Sequence, residues 1–246
     1  MSRKKGWMYM STDDDDAIMK AADLSMMQLS DSFFPTGMYS MSNGLEAIFY
    51  SGKKIKAEEL RELVKTYLEY QIGPADCTAL GNAYEYAARS NLAKLLEVDR
   101  AIFSMKLVQE IRDASIRSGT QLVRCIRSFS DSKILAQYED AIRGGQAFGP
   151  YPVALAVSAN AFLIPKEKAA LVMLYSFSVS IVGAALRLGM LQHFDGQKVI
   201  DELKPTIVKV IQANINRPIE GIWQFAPSID IIQISHERMN SKMFIT

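Results

Sequence analysis

The chain has 246 residues, 28 Lys and Arg against 27 Asp and Glu, and 49% hydrophobic residues. That balance excludes a disordered chain, which needs fewer apolar residues and a larger net charge, and a net charge of +1 removes the field on which general nucleic-acid binding rests. At this length a core can hold a fold without disulfides or a structural metal, and neither DNA nor RNA is an expected partner.

Residues 1–16 carry Lys4, Lys5 and the run Asp13-Asp14-Asp15-Asp16 with too little patterned apolar content to pack, and read as a flexible leader. Helical synthases that act on diphosphates hold Mg²⁺ through DDxxD, which sets carboxylates one helical turn apart. Here Ala17 takes the fifth position and no second acidic motif follows, so the run reads as the solvated start of a helix.

Residues 17–218 read as one helical domain. Near its start Pro35 and Gly37 set a tight loop, Asn43-Gly44 offer a positive-φ or capping position, and a helix is expected from about Leu45. Leu60, Leu63, Val64, Tyr67 and Leu68 follow the helical period until Gly73-Pro74, which is expected to stop the run. Leu80, Ala83, Tyr84 and Ala87 repeat the pattern. Leu107, Ile111, Ser115, Ser118, Leu122, Cys125 and Phe129 then trace one seam about six turns long, ending at Ser130-Asp131. No segment alternates in the manner of a strand.

Two stretches carry no charge, Gly144–Pro165 and Ala169–Leu186. A bilayer span needs about 20 mostly apolar residues. The first stretch is broken by Pro150 and Pro152, and the second holds Ser176, Ser178 and Ser180, so central helices buried on all sides are expected, without a membrane. Ile200, Leu203, Ile207, Ile211 and Ile215 form another stripe, in which Pro205 is expected to kink or restart the helix. Residues 219–246 are an extended tail with a short helix. Trp223, Phe225 and several isoleucines give it apolar surface that must fold back onto the body or meet a partner. The fold class is therefore all-α, a single helical bundle with buried central helices and a C-terminal tail.

Catalytic chemistry is poorly supplied. His193 and His236 have acidic neighbours in Asp195 and Glu237, but adjacent helical residues diverge and do not face one ligand, so both read as hydrogen-bonding residues of a surface or interface. Nucleophile elbows, phosphate loops and HExxH are absent. Gly144–Gly149 lacks a preceding strand and a Lys-Ser/Thr pair and reads as a helix-breaking turn; the 13 Met residues read as core or interface filler. Cys77 and Cys125 stand alone and read as buried thiols in a reducing cytoplasm, not as a disulfide. Arg112, Arg117, Arg124 and Arg127 lie on one helix, where Asp113 can pair with Arg117, and form either a solvated face or a dock for an acidic protein surface.

One segment is more specific: Leu29-Ser30-Asp31-Ser32-Phe33-Phe34-Pro35-Thr36-Gly37-Met38-Tyr39-Ser40-Met41-Ser42-Asn43-Gly44-Leu45-Glu46. It resembles the opening of the urease accessory protein UreF family, roughly LLQLxDSxxPxGxYxxSxGLE. Gln109–Ser115 with Gly119, Tyr151-Pro152-Val153, Ala185–Leu188 and the tail's Pro227–Asp230, His236-Glu237-Arg238 and Phe244 are similar to further family segments in the same order. Departures are Gln192-His193, where the family has a Gly-Gln pair, and Lys242 in place of an arginine, whose planar fork a lysine does not reproduce.

The resemblance implies a non-catalytic, all-helical, cytoplasmic assembly factor that tends to dimerise and bridges a UreD/UreH-like protein and the GTPase UreG, helping to deliver nickel to apo-urease. It implies no intrinsic cofactor or metal site, nickel and GTP being handled by the maturation complex, and it leaves control of GTP hydrolysis open. The partner-binding residues it implies are Tyr39, Glu46, Glu110, Arg112, Trp223, Phe225, His236, Glu237, Lys242 and Phe244, on a loop shaped by Pro35, Gly37 and Gly44. Arg112 and Arg187 serve either such contacts or internal ion pairs. The tail is expected to order against the UreD/UreH-like protein, burying Trp223 and Phe225. Rival readings are a helical ligand-binding module and a helical diphosphate-using enzyme.

Overall fold

The computed structural model describes residues 21–31 and 33–246, which form an all-α domain with no strand among the described residues. The Asp13–Asp16 run and the leader lie outside them. Helix α1 (Ala21–Ser30) leads into the loop, followed by α2 (Leu45–Tyr50), α3 (Ala57–Tyr67), α4 (Thr78–Ala88), α5 (Leu92–Met105), α6 (Gln109–Arg127), α7 (Lys133–Arg143), α8 (Tyr151–Ala161), α9 (Lys166–Arg187), α10 (His193–Asn214) and α11 (Pro227–Glu237). The centre is α8, buried from Tyr151 to Ala159 and packed by α4, α6 and α9; α10 lies along α9, and α11 sits on α2 and α6.

Helix α6 reaches α8 closely because Gly119 has no side chain: a Cβ there would lie 2.1 Å from the carbonyl oxygen of Gly149. The Gly144–Gly149 turn that joins α7 to α8 is fixed from inside. Asp99 of α5, fully buried, accepts hydrogen bonds from the N–H groups of Phe148 (2.8 Å) and Gly149 (3.0 Å) and from the Tyr138 hydroxyl (2.6 Å). Two backbone amides of this glycine-rich turn are thus occupied by a carboxylate of the protein itself, and those of residues 144–147 by carbonyls of α7.

Several expectations are corrected. Gly73-Pro74 does not end the helix. Between α3 and α4 the chain runs through a π-helical segment, Leu68–Cys77, whose extra residue per turn relieves the clash a proline ring makes with the carbonyl four residues earlier. Nor does Pro205 restart α10, the second of the two outcomes expected of it: the helix is continuous from His193 to Asn214, and Pro205 and Asp201, whose carbonyl loses its donor to the ring, are both exposed. The α6 seam is exposed at both ends, at Leu107 and Phe129, and Cys125 is only half-buried while Cys77 is buried. Helix α9 is not enclosed on all sides, because Leu171, Tyr175 and Val179 open one face to solvent. It is the one helix among the described residues long and apolar enough to cross a bilayer, and 67% of its most apolar window is buried inside the domain.

Of the two outcomes expected for the tail's apolar surface, folding back onto the body is the one seen for part of it. Residues 219–246 are seated on the body of the same chain, with Ala226, Ile229, Phe244 and Thr246 buried, while Phe225 stays 72% exposed and Trp223 36% exposed.

Candidate functional site

The tail, the loop and α6 meet at one polar cluster. Gly44, at φ 91, turns the chain into α2, and a Cβ on it would lie 2.8 Å from Ile232 Cγ2 and 3.2 Å from the Gln233 nitrogen, so α11 packs directly on this turn. Two residues later Glu46 points inward and is fully buried. One of its carboxylate oxygens accepts the N–H of Met243 (2.7 Å); the other accepts that of Phe244 (3.1 Å) and lies 2.9 Å from His236 Nε2.

His236 is also fully buried, and its Nδ1 lies 2.7 Å from Glu110 Oε2. Glu110 Oε1 accepts from Lys242 Nζ (2.6 Å), and the Glu110 N–H donates to Glu237 (3.2 Å). Burial pushes the Glu46 carboxyl up, but the N–H groups of Met243 and Phe244 and the His236 ring outweigh it and hold it below the ordinary carboxylate value. With a carboxylate on each ring nitrogen, the imidazole has no free lone pair to offer a metal. Among the described residues no three His, Cys, Asp or Glu side chains are placed to hold a metal ion.

Beside this cluster the Arg187 guanidinium lies between two rings, 4.1 Å from the Tyr39 centroid and 4.5 Å from that of Phe244. Each such contact contributes about 0.5–2 kcal/mol, more where water is excluded. Desolvation lowers the Arg187 pKa. The tail's last turn is tied to the same loop: the Ile245 N–H donates to Ser40 O (2.8 Å), and the Ser42 N–H donates to Thr246 O (2.7 Å).

The structure therefore brings together Tyr39, Glu46, Glu110, His236, Glu237, Lys242 and Phe244, on a loop turned by Pro35, Gly37 (φ 75) and Gly44. Arg112 stands apart, 5.2 Å over the Phe103 ring and 3.4 Å from Lys106 O, and Phe103 stacks on Phe148 at 3.6 Å. Trp223 and Phe225 lie elsewhere, their N–H groups donating to Pro74 O and Tyr70 O. Neither Arg112 nor Arg187 forms an ion pair among the described residues, so of the two roles open to them the internal ion pair is not seen and each lies on an aromatic ring instead. His236 is not a surface residue, and its partners are Glu46 and Glu110, not its neighbour Glu237. His193 is exposed at the start of α10. Asp113 does not pair with Arg117. Ser42 and Thr246 join the site without having been singled out; the only sign of Ser42 was its place in the loop motif.

A model of the UreF family matches residues 55–204. The chain belongs to the UreF family. It is 30% identical to the urease accessory protein UreF of Trichodesmium erythraeum (strain IMS101) over 222 residues, 90% of this chain and 95% of that protein. The UreF of Bacillus sp. (strain TB-90) is 27% identical, over 91% of this chain and 98% of its own length. Urease accessory protein UreF 1 of Brucella melitensis biotype 1 is 30% identical, over 90% and 92%. The segment matched by the UreF model contributes Glu110 and Arg187 to the cluster, whereas Tyr39, Glu46, His236 and Lys242 lie on either side of it.

Proposed function

We propose that this UreF-family chain is a non-catalytic scaffold of nickel-dependent urease maturation. It acts in the cytoplasm as a homodimer and holds a UreD/UreH-like protein and the GTPase UreG for work on apo-urease. The observation that carries this reading is how the polar groups of the tail junction are used. His236, Glu46, Glu110 and Lys242 are spent on one another, while Trp223, Phe225, Ile231 and Ile234 face outward on the same tail. A buried, mutually satisfied cluster positions a surface; it leaves no proton donor or nucleophile free for a substrate.

On this reading the outer face of the tail packs against the UreD/UreH-like protein, where burial contributes about 25 cal/mol per Å² of apolar surface. The Tyr39 loop and the Lys242 end face the GTPase, whose hydrolysis the contact regulates. Because the tail is already seated on the body, docking does not have to order the whole segment. Nickel and GTP are cargo and fuel of the assembled complex. The test is urease activation in a mixture of apo-urease, nickel, bicarbonate, GTP, UreD/UreH and UreG, with and without the chain. Activation that requires the chain, and falls with W223A/F225A, is expected; equal activation without it overturns the reading.

A further inference from the structure

Two arginines of α6 are unaccounted for. Arg112 lies on Phe103 and Arg127 pairs with Glu139, but Arg117 and Arg124 are exposed and have no ion-pair or side-chain hydrogen-bond partner among the described residues. Seven residues of helix place them on one side, about 10.5 Å apart along the axis. Both line a groove of about 460 Å³ whose other walls are Pro35–Gly37, Met41 and, from the tail, Ile245. Ser118, next to Arg117 but turned toward the interior, is 2% exposed and forms part of the groove floor.

Unpaired guanidiniums take carboxylates in two parallel hydrogen bonds, and apolar walls strengthen such contacts by lowering the local dielectric. We propose that this groove receives an acidic segment of a partner protein, with one carboxylate on Arg117 and a second about 10 Å away on Arg124. Glu110, Asp113 and Glu237 border Arg117 on its other side, and Lys242 is already engaged by Glu110. The acidic part of the segment therefore runs toward Arg124 and away from the start of α6. A nucleic-acid strand, charged at every residue, would bring phosphates against Asp113 and Glu237.

The groove is complete only when the tail is seated, since Ile245 is held by Ser40 and its two predecessors by Glu46. A segment that binds the completed groove must by linkage stabilise the seated tail. The inference goes beyond the scaffold reading and does not depend on which protein supplies the segment.

The test uses the full chain and a labelled helical peptide with Glu at two positions seven residues apart and Leu between them on the same face, followed by fluorescence anisotropy. Saturable binding is expected, weakened about tenfold or more by R117Q/R124Q, by Gln in place of the peptide's Glu, and by raising salt to about 0.3 M. K54Q/K209Q, which removes two charges outside the groove, retains affinity, and circular dichroism confirms that both variants fold. Absence of saturable binding overturns the proposal, as does undiminished binding by R117Q/R124Q, an equal loss in K54Q/K209Q, or displacement of the peptide by an RNA oligonucleotide. Bound peptide also slows hydrogen exchange at the Met243 and Phe244 amides; unchanged exchange refutes the link to the tail.

Discussion

Glu46 and His236 are 190 residues apart in the chain, yet their side chains meet at 2.9 Å with neither accessible to solvent. Glu46 stands at the start of α2 and His236 in the last turn of α11, so this contact fixes the tail to the loop turn. Everything past His236 is then placed by short-range bonds: Lys242 on Glu110, Met243 and Phe244 on Glu46, Ile245 on Ser40.

Replacing His236 by Ala leaves two carboxylates facing a void without their shared partner. Loss of one member of a buried charged set costs about 3–5 kcal/mol, far more than the set contributes relative to apolar groups of the same shape. H236A is expected to lower the urea midpoint correspondingly and to raise hydrogen exchange from Met243 to Thr246 while α8 stays protected. Unchanged exchange in the tail would show that other contacts hold it.

The pH dependence follows from Glu46 and Asp99, which act in opposite directions. The Glu46 carboxyl titrates below its unfolded value of 4.5, so its stabilisation is fully present above 4.5 and is lost as pH falls through the folded value. Asp99 is raised above 3.8 by burial, against the Tyr138, Phe148 and Gly149 bonds that lower it. Its contribution is present below 3.8 and fades as pH rises through the folded value. Wild-type stability should therefore fall more steeply than that of E46Q between about pH 5 and pH 3, and that of D99N should fall more steeply than wild type. Chemical denaturation across that range measures both slopes.

Gly119→Ala tests the packing at the centre. The added Cβ would sit 2.1 Å from Gly149 O and 2.8 Å from the carbonyl carbon of Pro150, both backbone atoms that a rotamer change cannot clear. Helix α6 must move off α8 and the turn that Asp99 holds must shift, so a loss of about 2 kcal/mol or more is expected. Thermal unfolding at neutral pH reads it as a lowered midpoint.

What the sequence made legible was local. Of the stripe that runs through α3 into the π-helical segment, Leu60, Val64, Tyr67 and Leu68 are buried and Leu63 is partly buried, and Asn43 and Gly44 adopt the positive φ that their residue types permit. Gly73-Pro74 misled because a proline's effect was judged against an α-turn, whereas the chain widened into a π-turn there. The acidic partners of His236 were invisible for a different reason. Glu46 and Glu110 lie 190 and 126 residues away, and only the closing of the bundle selects them over Glu237 next door. Arg187 was legible only through the family-like segment Ala185–Leu188, and nothing in one sequence says that its partners are rings and not carboxylates.

The exposed stripe on α9 gives a prediction about assembly. Leu171, Tyr175 and Val179 recur every four residues on the open face, and Val208 of α10 continues the surface beyond a groove that Met26 of α1 also lines. Side chains of this size facing water singly are ordinary, but a contiguous set is the pattern of a surface that a second molecule covers. A two-fold contact would lay the stripe on its own copy, burying each residue twice. Placing carboxylates on this surface, as in Leu171→Glu with Val208→Glu, would bring four added charges into a dimer interface while costing the monomer little, since both positions are already solvated. Light scattering on the purified chain should then report twice the chain mass for wild type and the monomer mass for the double variant, with identical helical circular dichroism. A wild-type mass equal to a single chain would show that the chain does not self-associate, and a variant that remains a dimer would place the self-contact elsewhere.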